Sequence, residues 1–556
     1  MNNFFRNTLM VMAAGTLAVS CADYNETANF TADPDPAFVE PYKDLAPVKS
    51  YINRDKYPNM SLGATLDVKK FNDQSLEHAA AITNFNNVAF GKTLMAGTII
   101  NEKGTMNFLS MMDLLTHVEE INGEVYGSPL VANANQADKW LELLTSPIEI
   151  PVDPEEGESV NFNEWAVGAY PADKISKGSA SIVKYDNQNV LKIGTSSNVI
   201  IVDFTPVDPL SKYTIYVNAK ADKDATFTVN FSGKDVEGKG TDGKWNLKAG
   251  KWQQVKIEDA QSAEGVTDGY LMIQNTRSTP IYVKDVKVMI IPDNHRPQTA
   301  QEISDTIHYA LNEWCDGFMK INEGRIKSFD LIDEPIDSKT MLDNDHYDLK
   351  HSTDSKVIYW QDIFGSEEYG STVSKVASEA FVKYGGNADE LKFFISESDL
   401  DDAKKLESLN YWISIWEGKG AKIDGINAKL NISYSEDAAT QSATESQFET
   451  LLQNLAKTKK LIRISNFDIK YYDEDGAPVT ADKITTAQRQ KLADFYAHAI
   501  KKYMELIPNE LQAGICKTNM VDSTDPVGLW SKDVKTGDWV RTATYKAFCD
   551  ALSGKE

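Results

Sequence analysis

The segment Ser328–Pro335 constrains the fold more than any other stretch of this chain. It reads Ser-Phe-Asp-Leu-Ile-Asp-Glu-Pro, and Phe329, Leu331 and Ile332 form the apolar body of a short buried strand. Proline cannot continue a central β-ladder, so the strand ends beside Glu334. Parallel α/β barrels carry their reactive side chains at the C-terminal ends of the strands. The segment therefore predicts a barrel strand that presents Glu334 to a cleft.

A second apolar run predicts a strand that faces the same cleft. Residues Leu461–Ile469 read Leu-Ile-Arg-Ile-Ser-Asn-Phe-Asp-Ile, with Asn466 near the end. If this strand and the strand before Glu334 line one barrel, the two side chains lie at the same rim.

Strands alternate with helices on both sides of a central region, which is typical of a parallel sheet or barrel. The alternation covers residues 57–149 and 293–556, about 350 residues in all, within the range of a (β/α)8 barrel with insertions. Helical spacing after residue 299 predicts one helix with a continuous apolar face. The predicted fold class is α/β: a (β/α)8 TIM barrel with an inserted all-β jelly-roll or sandwich domain. Further strands are predicted at Glu124–Val131, Leu391–Ser396, Lys422–Ile426 and Ala513–Lys517.

Residues 150–292 have a different sequence pattern. Short runs in which apolar and polar residues alternate are separated by turn signals such as Ser232-Gly233 and Ala249-Gly250. Period-two runs at this spacing predict a β-sandwich inserted between the two parts of the barrel. The runs are Val199–Val202, Tyr213–Val217, Thr226–Phe231, Trp252–Ile257, Tyr270–Ile273 and Ile281–Ile291.

Residues 1–21 are predicted to be a targeting segment. Arg6 precedes the apolar run Leu9–Val19, which ends in small residues before Cys21. This pattern resembles a bacterial lipobox, in which Cys21 becomes the lipidated N-terminus. The alternative is an ordinary signal peptide with an incidental cysteine. Residues 22–56 are rich in acidic residues and proline and predict a flexible acidic tether.

Composition excludes several classes of partner. The net charge of −25 argues against nucleic acid and anionic lipid surfaces. The four cysteines have neither zinc-site nor disulfide-framework spacing, and the seven histidines are scattered. We therefore expect no metal site and no cofactor, and membrane contact through the lipid anchor only.

Several motifs resemble a glycoside hydrolase family 10 endo-1,4-β-xylanase of the Bacteroidetes type, a lipoprotein with a carbohydrate-binding module inserted after the third barrel strand. The resemblance covers nearly the whole chain after residue 21. Its motifs are Phe85-Asn86-Asn87-Val88, Gly104 with Asn107-Phe108 and Asp113, Val131, Asp330-Leu331-Ile332-Asp333-Glu334, Ile423-Asp424-Gly425-Ile426, and Asp468.

The resemblance implies a general acid/base at Glu334, preceded by a substrate-binding position at Asp333. It also implies that the nucleophile position is Asn466, where the family has a glutamate. A retaining glycosidase needs two carboxyl groups about 5–5.5 Å apart. An amide can neither form the glycosyl ester nor supply negative charge. The sugar-gripping positions also depart from the family pattern, at Gly91, Lys92, Met95, Ser128, Ala132, Asn133, Ser396-Glu397-Ser398-Asp399, Lys429, Asn431 and Thr518.

Two functions therefore compete. The first is a catalytically degenerate, glycan-binding surface protein of xylan-type polysaccharide utilisation. The second is an active xylanase or related glycosidase, in which Glu334 pairs with a relocated carboxylate such as Glu397, Asp399 or Asp468.

The sandwich offers aromatic side chains for stacking on sugar rings. The candidates are Trp165, Trp245, Trp252, Tyr213, Tyr270 and Tyr282, of which Trp165, Trp245 and Tyr270 are the chosen substrate-binding residues. Trp252 is expected to pack inward, as a tryptophan does at that place in similar modules.

The resemblance also implies partners and a location. The expected partner is a plant cell-wall polysaccharide such as xylan, with an outer-membrane glycan importer as a second partner. The expected location is the outer membrane, at the cell surface.

Overall fold

The computed structural model describes residues 42–117, 123–204, 207–354, 356–533 and 536–554. Two compact units are present, the first formed by the chain up to Thr145 and from Gln301 onward, the second by Ser146–Ala300. No helix in these described ranges is long and apolar enough to cross a membrane.

The first unit contains a closed barrel of eight parallel strands. Each strand pairs with the next in chain order, and the last pairs with the first. This confirms the predicted (β/α)8 barrel. The strands are β1 Leu62–Thr65, β2 Asn87–Ala89, β3 Glu124–Gly127, β4 Ser328–Asp333, β5 Lys392–Ser398, β6 Gly425–Lys429, β7 Leu461–Ser465 and β8 Gln512–Lys517.

Helices lie between the barrel strands. Ala300–Asn322 buries a stripe that includes Ile307, Trp314 and Phe318, as its helical spacing predicts. Thr486–Leu506 begins with a capping box in which Thr485 and Gln488 satisfy each other's backbone N–H groups. The remaining helices are Val68–Asn72, Leu76–Asn84, Ala96–Ile99, Leu109–His117, Asp138–Leu144, Trp360–Phe364, Ser366–Lys383, Ala403–Gly418, Ala438–Lys457 and Ala543–Ser553.

Short strand pairs accompany the barrel. Val131–Ala132 pairs with β4 beyond the end of β3, so the predicted strand Glu124–Val131 is broken in two. The other pairs are Ile336–Met341 with Tyr347–Leu349, Ser433–Ser435 with Lys470–Tyr472, and Trp530–Lys532 with Trp539–Arg541.

A buried polar layer crosses the barrel interior. The Tyr126 hydroxyl donates to Asp330 at 2.6 Å, and the Asn427 amide donates to both oxygens of Asp330 at 3.1 Å. The Arg463 guanidinium lies 3.9 Å from the centre of the Tyr126 ring. Burial raises the pKa of Asp330 to about 6, because water no longer stabilises its charge. These residues come from β3, β4, β6 and β7, so the layer ties distant strands together.

The second unit is a β-sandwich whose two sheets share one apolar core. The sequence predicts its bounds as 150–292, whereas the compact unit spans 146–300 because Ile148–Glu149 pairs with His295–Arg296. Sheet 1 has the order Gln253–Ala260, Lys212–Ala221, Ile281–Ile291, Gln188–Ile193, Ala180–Tyr185 and Gly168–Ala169, with Glu155–Glu156 and Val160–Asn161 against Ile281–Ile291. Sheet 2 has the order Lys234–Val236, Ala225–Phe231, Gly269–Asn275, Ser197–Phe204 and Ile175–Lys177, with Trp245–Leu247 against Ala225–Phe231.

Candidate functional site

Glu334 and Asn466 both lie just past the C-terminal ends of barrel strands, at the rim predicted for them. Glu334 follows β4 with φ of 47°, and Asn466 follows β7 with φ of 54°. Left-handed backbone is uncommon for residues other than glycine and concentrates at functional sites. The Asn466 conformation also ends β7 at Ser465, so the strand predicted to run to Ile469 is four residues shorter.

Two lysines flank the Glu334 carboxylate. Lys429, from the end of β6, lies 3.1 Å from Glu334 Oε1 and also forms an ion pair with Asp333. Lys350, which follows the hairpin after β4, lies 3.7 Å from Glu334 Oε2. Asp333 also accepts a hydrogen bond from the Ser396 hydroxyl at 2.5 Å. Both carboxylates are thus neutralised within the protein.

The lysines determine the protonation state of Glu334. Partial burial by itself would raise the pKa of Glu334, but the charges of Lys429 and Lys350 outweigh it and lower the pKa below its ordinary value. A general acid must carry a proton at the working pH, and glycosidases raise the pKa of that residue for this purpose. The two lysines therefore favour the ionised form of Glu334, which is opposite to what a general acid needs.

Asn466 is exposed at the rim, and Thr518 from beyond β8 donates a hydrogen bond to its side-chain oxygen at 3.4 Å. The amide is neutral at every accessible pH. It therefore contributes no charge that would raise the pKa of Glu334 or stabilise a cationic sugar.

The other carboxylates near the rim are held by lysines. Glu397 is fully buried, pairs with Lys405 at 2.9 Å and accepts hydrogen bonds from two backbone N–H groups. Burial raises the pKa of Glu397, opposed by Lys405. Asp468 pairs with the buried Lys517 and accepts hydrogen bonds from Asn519. Asp399 differs, because it is exposed and its contact is a 3.3 Å hydrogen bond from the Ser398 hydroxyl.

Comparison with known proteins finds a family resemblance in the second part of the barrel. Residues 290–524 match glycosyl hydrolase family 10. The matched range contains β4 to β8 and therefore both Glu334 and Asn466. A search of curated protein sequences found no significant match.

Solved structures share the barrel fold. The chain is similar to xylanase B from Clostridium stercorarium F9, with a TM-score of 0.52 and 11% identity over 91% of this chain and 100% of that one. It is also similar to xylanase XynB from Paenibacillus barcinonensis, with a TM-score of 0.50 and 8% identity over 91% and 99% of the two chains. At these identities the similarity shows the fold alone.

At five of the positions where the sequence departs from the family 10 pattern, the side chains are buried or form contacts within the protein. The Ser128 hydroxyl donates to the Gly91 carbonyl at 2.5 Å, and Asn133 accepts a hydrogen bond from Gln361 at 3.1 Å. Met95 and Ala132 are buried. Lys429, at a family position for sugar contacts, forms the ion pairs described above. These side chains are thus engaged by other groups of the protein.

The aromatic candidates of the sandwich lie in different environments. Trp245 is 7% exposed and belongs to the apolar core, so its ring faces are covered by protein. Trp165 is partly exposed and stacks on Tyr170 with ring centres 5.6 Å apart. Tyr270 is partly exposed on sheet 2. Trp252, expected to pack inward, is instead partly exposed because its indole N–H donates to Asp186 at 3.3 Å.

The three lysines of the site differ in how far the sequence indicates them. Lys429 can be recognised because it ends a barrel strand next to the motif Ile423–Ile426. Lys350 and Lys405 reach the rim from a loop and a helix, and only tertiary packing brings them there. Within the described residues, no group of three or more histidine, cysteine or acidic side chains could hold a metal ion.

Proposed function

We propose that this chain binds a xylan-type polysaccharide without hydrolysing it. The observation that carries the proposal is the placement of Glu334 between Lys429 and Lys350, across a rim where Asn466 occupies the nucleophile position. The substrate class rests on the similarity of the barrel to family 10 and to solved xylanases.

The chemistry favours loss of hydrolysis on two counts. Retaining hydrolysis needs a protonated acid and an ionised nucleophile on opposite sides of the glycosidic bond. Glu334 lacks the proton because two lysines stabilise its charge, and Asn466 lacks the charge because it is an amide. An inverting route would need a base and the same proton from Glu334, so it meets the first difficulty too.

The proposal includes the location. Cys21 would carry lipid, residues 22–56 would lead from the lipid to the barrel, and the protein would lie in the outer membrane at the cell surface beside a glycan importer. The prediction of a flexible tether is wrong for residues 42–56, because Val48 and Ile52 are buried in the apolar core of the barrel unit. The support is the apolar run Leu9–Val19 with small residues before Cys21. The lipid site and most of this tether lie outside the described residues.

Affinity electrophoresis tests the binding half of the proposal. Neutral xylan in the gel should retard the chain, and a gel without polysaccharide should not. An equal mobility in both gels would contradict glycan binding. The Glu334→Gln variant is the matched comparison, and its retardation should match that of the unsubstituted chain because the proposed binding does not involve hydrolysis.

A second function deserves testing because Asp399 is exposed and bears no ion pair with lysine in the described part of the chain. In that case the chain is an active glycosidase with Glu334 as acid/base and Asp399 as the relocated carboxylate. Release of reducing ends from xylan that is abolished by both Asp399→Asn and Glu334→Gln would favour this alternative.

A further inference from the structure

One end of sheet 1 carries an aromatic group that joins two of the candidates from the sequence, Trp252 and Tyr282, to a tyrosine that the sequence analysis did not single out, Tyr185. We call Tyr185, Trp252, Tyr282 and Lys220 the Tyr185 cluster. Tyr185 and Tyr282 stack with ring centres 4.3 Å apart, and Trp252 meets Tyr185 edge-on at 6.4 Å. The Lys220 ammonium lies 4.8 Å from the Tyr185 ring centre and 5.8 Å from that of Trp252.

Two carboxylates lock the polar ends of these side chains. Asp222 accepts hydrogen bonds from the hydroxyls of Tyr185 and Tyr282 at 2.5 and 3.2 Å. Asp186 pairs with Lys220 at 2.9 Å and accepts the Trp252 indole N–H. Binding a ligand to rings that are already held in place costs little side-chain entropy.

The sequence explains why the cluster lies on the outer side of sheet 1. Buried and partly exposed residues alternate along Lys212–Ala221, so Lys220 points away from the core that Ala219 and Ala221 enter. Tyr282 is the register neighbour of Lys220 on the adjacent strand. Asp186 and Asn187 form a tight hairpin turn with φ of 52° and 63°, which places Asp186 beside the cluster.

A row of hydrogen-bonding groups continues from the cluster across the same face. Asn218, two residues before Lys220 and on the same side of its strand, donates to Asp285 at 2.5 Å. Gln254 is the register neighbour of Asn218 on the edge strand and is exposed. The face therefore combines partly exposed rings with amides and carboxylates that can bind hydroxyl groups.

The opposite sheet lacks this combination. Tyr270 and Met272 lie on the outer side of sheet 2, and in the described part of the chain Tyr270 has no ring partner that would hold it in place. Trp245, from the same sheet, is buried in the core. The two outer faces of the sandwich thus differ in their capacity to bind a sugar chain.

We infer that the Tyr185 cluster is the glycan-binding site of the sandwich, and that it takes a neutral β-linked glycan; this inference rests on the proposed glycan-binding function. The apolar faces of sugar rings stack on aromatic faces, here that of Trp252, while Tyr185 is stacked on Tyr282 and supports Trp252 edge-on. Ring hydroxyls bind the row that begins at Asn218. We expect a neutral ligand because three carboxylates, those of Asp186, Asp222 and Asp285, outnumber the two lysines of this cross-strand row, Lys220 and Lys192, and would disfavour a uronic acid.

Hydrogen exchange on the purified chain locates the site. Saturating xylohexaose, a neutral probe, should slow exchange in peptides that cover residues 180–193 and 249–257. Exchange in a peptide covering residues 269–275 should not change. Protection of 269–275 in place of the two cluster peptides, or no protection within the sandwich, would overturn the inference.

Substitutions test the rings themselves. Trp252→Ala should weaken xylohexaose binding at the cluster by about tenfold or more. Trp252→Phe, which keeps a ring, should retain binding within about threefold. Tyr270→Ala is the matched control on sheet 2 and should leave the cluster protection unchanged. Equal cluster protection in Trp252→Ala and the unsubstituted chain would overturn the inference. If the near-ultraviolet circular dichroism of Trp252→Ala shows that this variant does not fold, the inference is tested by the binding of Trp252→Phe and by the exchange map of the unsubstituted chain.

An acidic probe tests the ligand class, and the barrel gives an independent readout. A xylo-oligosaccharide bearing glucuronic acid should protect the cluster less than xylohexaose does, and stronger protection would refute a neutral ligand. Shortening of xylohexaose would end the proposed non-hydrolytic function but leave cluster protection as evidence for this site. Protection confined to barrel peptides would end the cluster assignment and leave the proposed function standing.

Discussion

The Lys429 ammonium lies 3.1 Å from the carboxylate of Glu334, the residue for which the resemblance to family 10 implies the acid/base position. The same ammonium pairs with Asp333, so one lysine neutralises two adjacent carboxylates at the end of β4. In a glycosidase, the acid is surrounded by groups that keep it protonated. Here Lys429 favours the ionised form of Glu334, which disfavours a role for Glu334 as a general acid.

Removal of the Lys429 charge should raise the pKa of Glu334. Burial tends to raise the pKa of Glu334, and the positive charges of Lys429 and Lys350 lower it. Lys429→Gln removes one of these charges, so the effect of burial becomes larger relative to the charge that remains. Carbon-13 NMR titration of labelled glutamate side chains measures the change. Lys139→Gln is the matched control, because Lys139 pairs with the surface residue Glu142. An unchanged Glu334 pKa in Lys429→Gln would show that the ion pair does not form in solution.

The same ion pairs predict how stability depends on pH. The folded-state pKa of Glu334 lies below its ordinary value of 4.5, so the ionised form is bound more favourably in the folded chain. The stabilisation is complete above the unfolded-state pKa and is lost as pH falls through the lower, folded-state pKa. The difference in Tm between the unsubstituted chain and Glu334→Gln should therefore be constant near pH 7 and shrink below about pH 4.5. A difference that grows on acidification would have the wrong sign.

The buried pair Glu397–Lys405 should be far more sensitive to substitution than an exposed pair. Glu397 is fully buried, so Lys405→Ala removes the lysine that neutralises its negative charge. We expect a loss of about 3–5 kcal/mol in the free energy of unfolding. Lys404→Ala is the neighbouring control, because Lys404 pairs with the exposed Asp345 and should cost at most about 1 kcal/mol. Urea unfolding followed by tryptophan fluorescence compares the two, and similar losses would contradict the assigned burial.

The periodicity of the sequence predicts the barrel well because it depends on local patterns. Short buried strands and amphipathic helices recur along residues 57–149 and 293–556, and β4 lies where its apolar run and Pro335 place it. The prediction fails where backbone conformation overrides the pattern. The apolar run to Ile469 continues, but the left-handed conformation of Asn466 ends the strand at Ser465.

The chemistry of the site is less predictable because it depends on contacts across the barrel. The motif around Glu334 predicts the acid/base position, but nothing local shows that Lys350 returns to this carboxylate from the far end of a hairpin. The sandwich shows the same limit. Trp245 and Trp252 lie in similar alternating runs. Trp245 is nevertheless buried beside Phe227, whereas Trp252 is partly exposed and donates a hydrogen bond to Asp186.

Restoring the missing carboxylate alone should not restore activity. Asn466→Glu supplies a nucleophile, but Met95, Ala132 and Ser128 still occupy positions that hold the sugar in family 10. Loss of one preorganised donor costs roughly 10²–10³ in rate at other sites, and such losses need not be additive. We expect Asn466→Glu to remain near background on aryl xylobiosides, whose leaving group needs little help from Glu334. Asn466→Gln is the uncharged control, and strong turnover by Asn466→Glu alone would mean that the cleft still binds the transition state.

Mass spectrometry of xylohexaose after prolonged incubation with the chain tests most directly whether the chain hydrolyses a xylo-oligosaccharide. With Glu334 ionised and Asn466 at the nucleophile position, the oligosaccharide should be recovered at its original length, as it should be with Glu334→Gln. Steady accumulation of shorter xylo-oligosaccharides with the unsubstituted chain, and none with Glu334→Gln, would contradict a non-hydrolytic function.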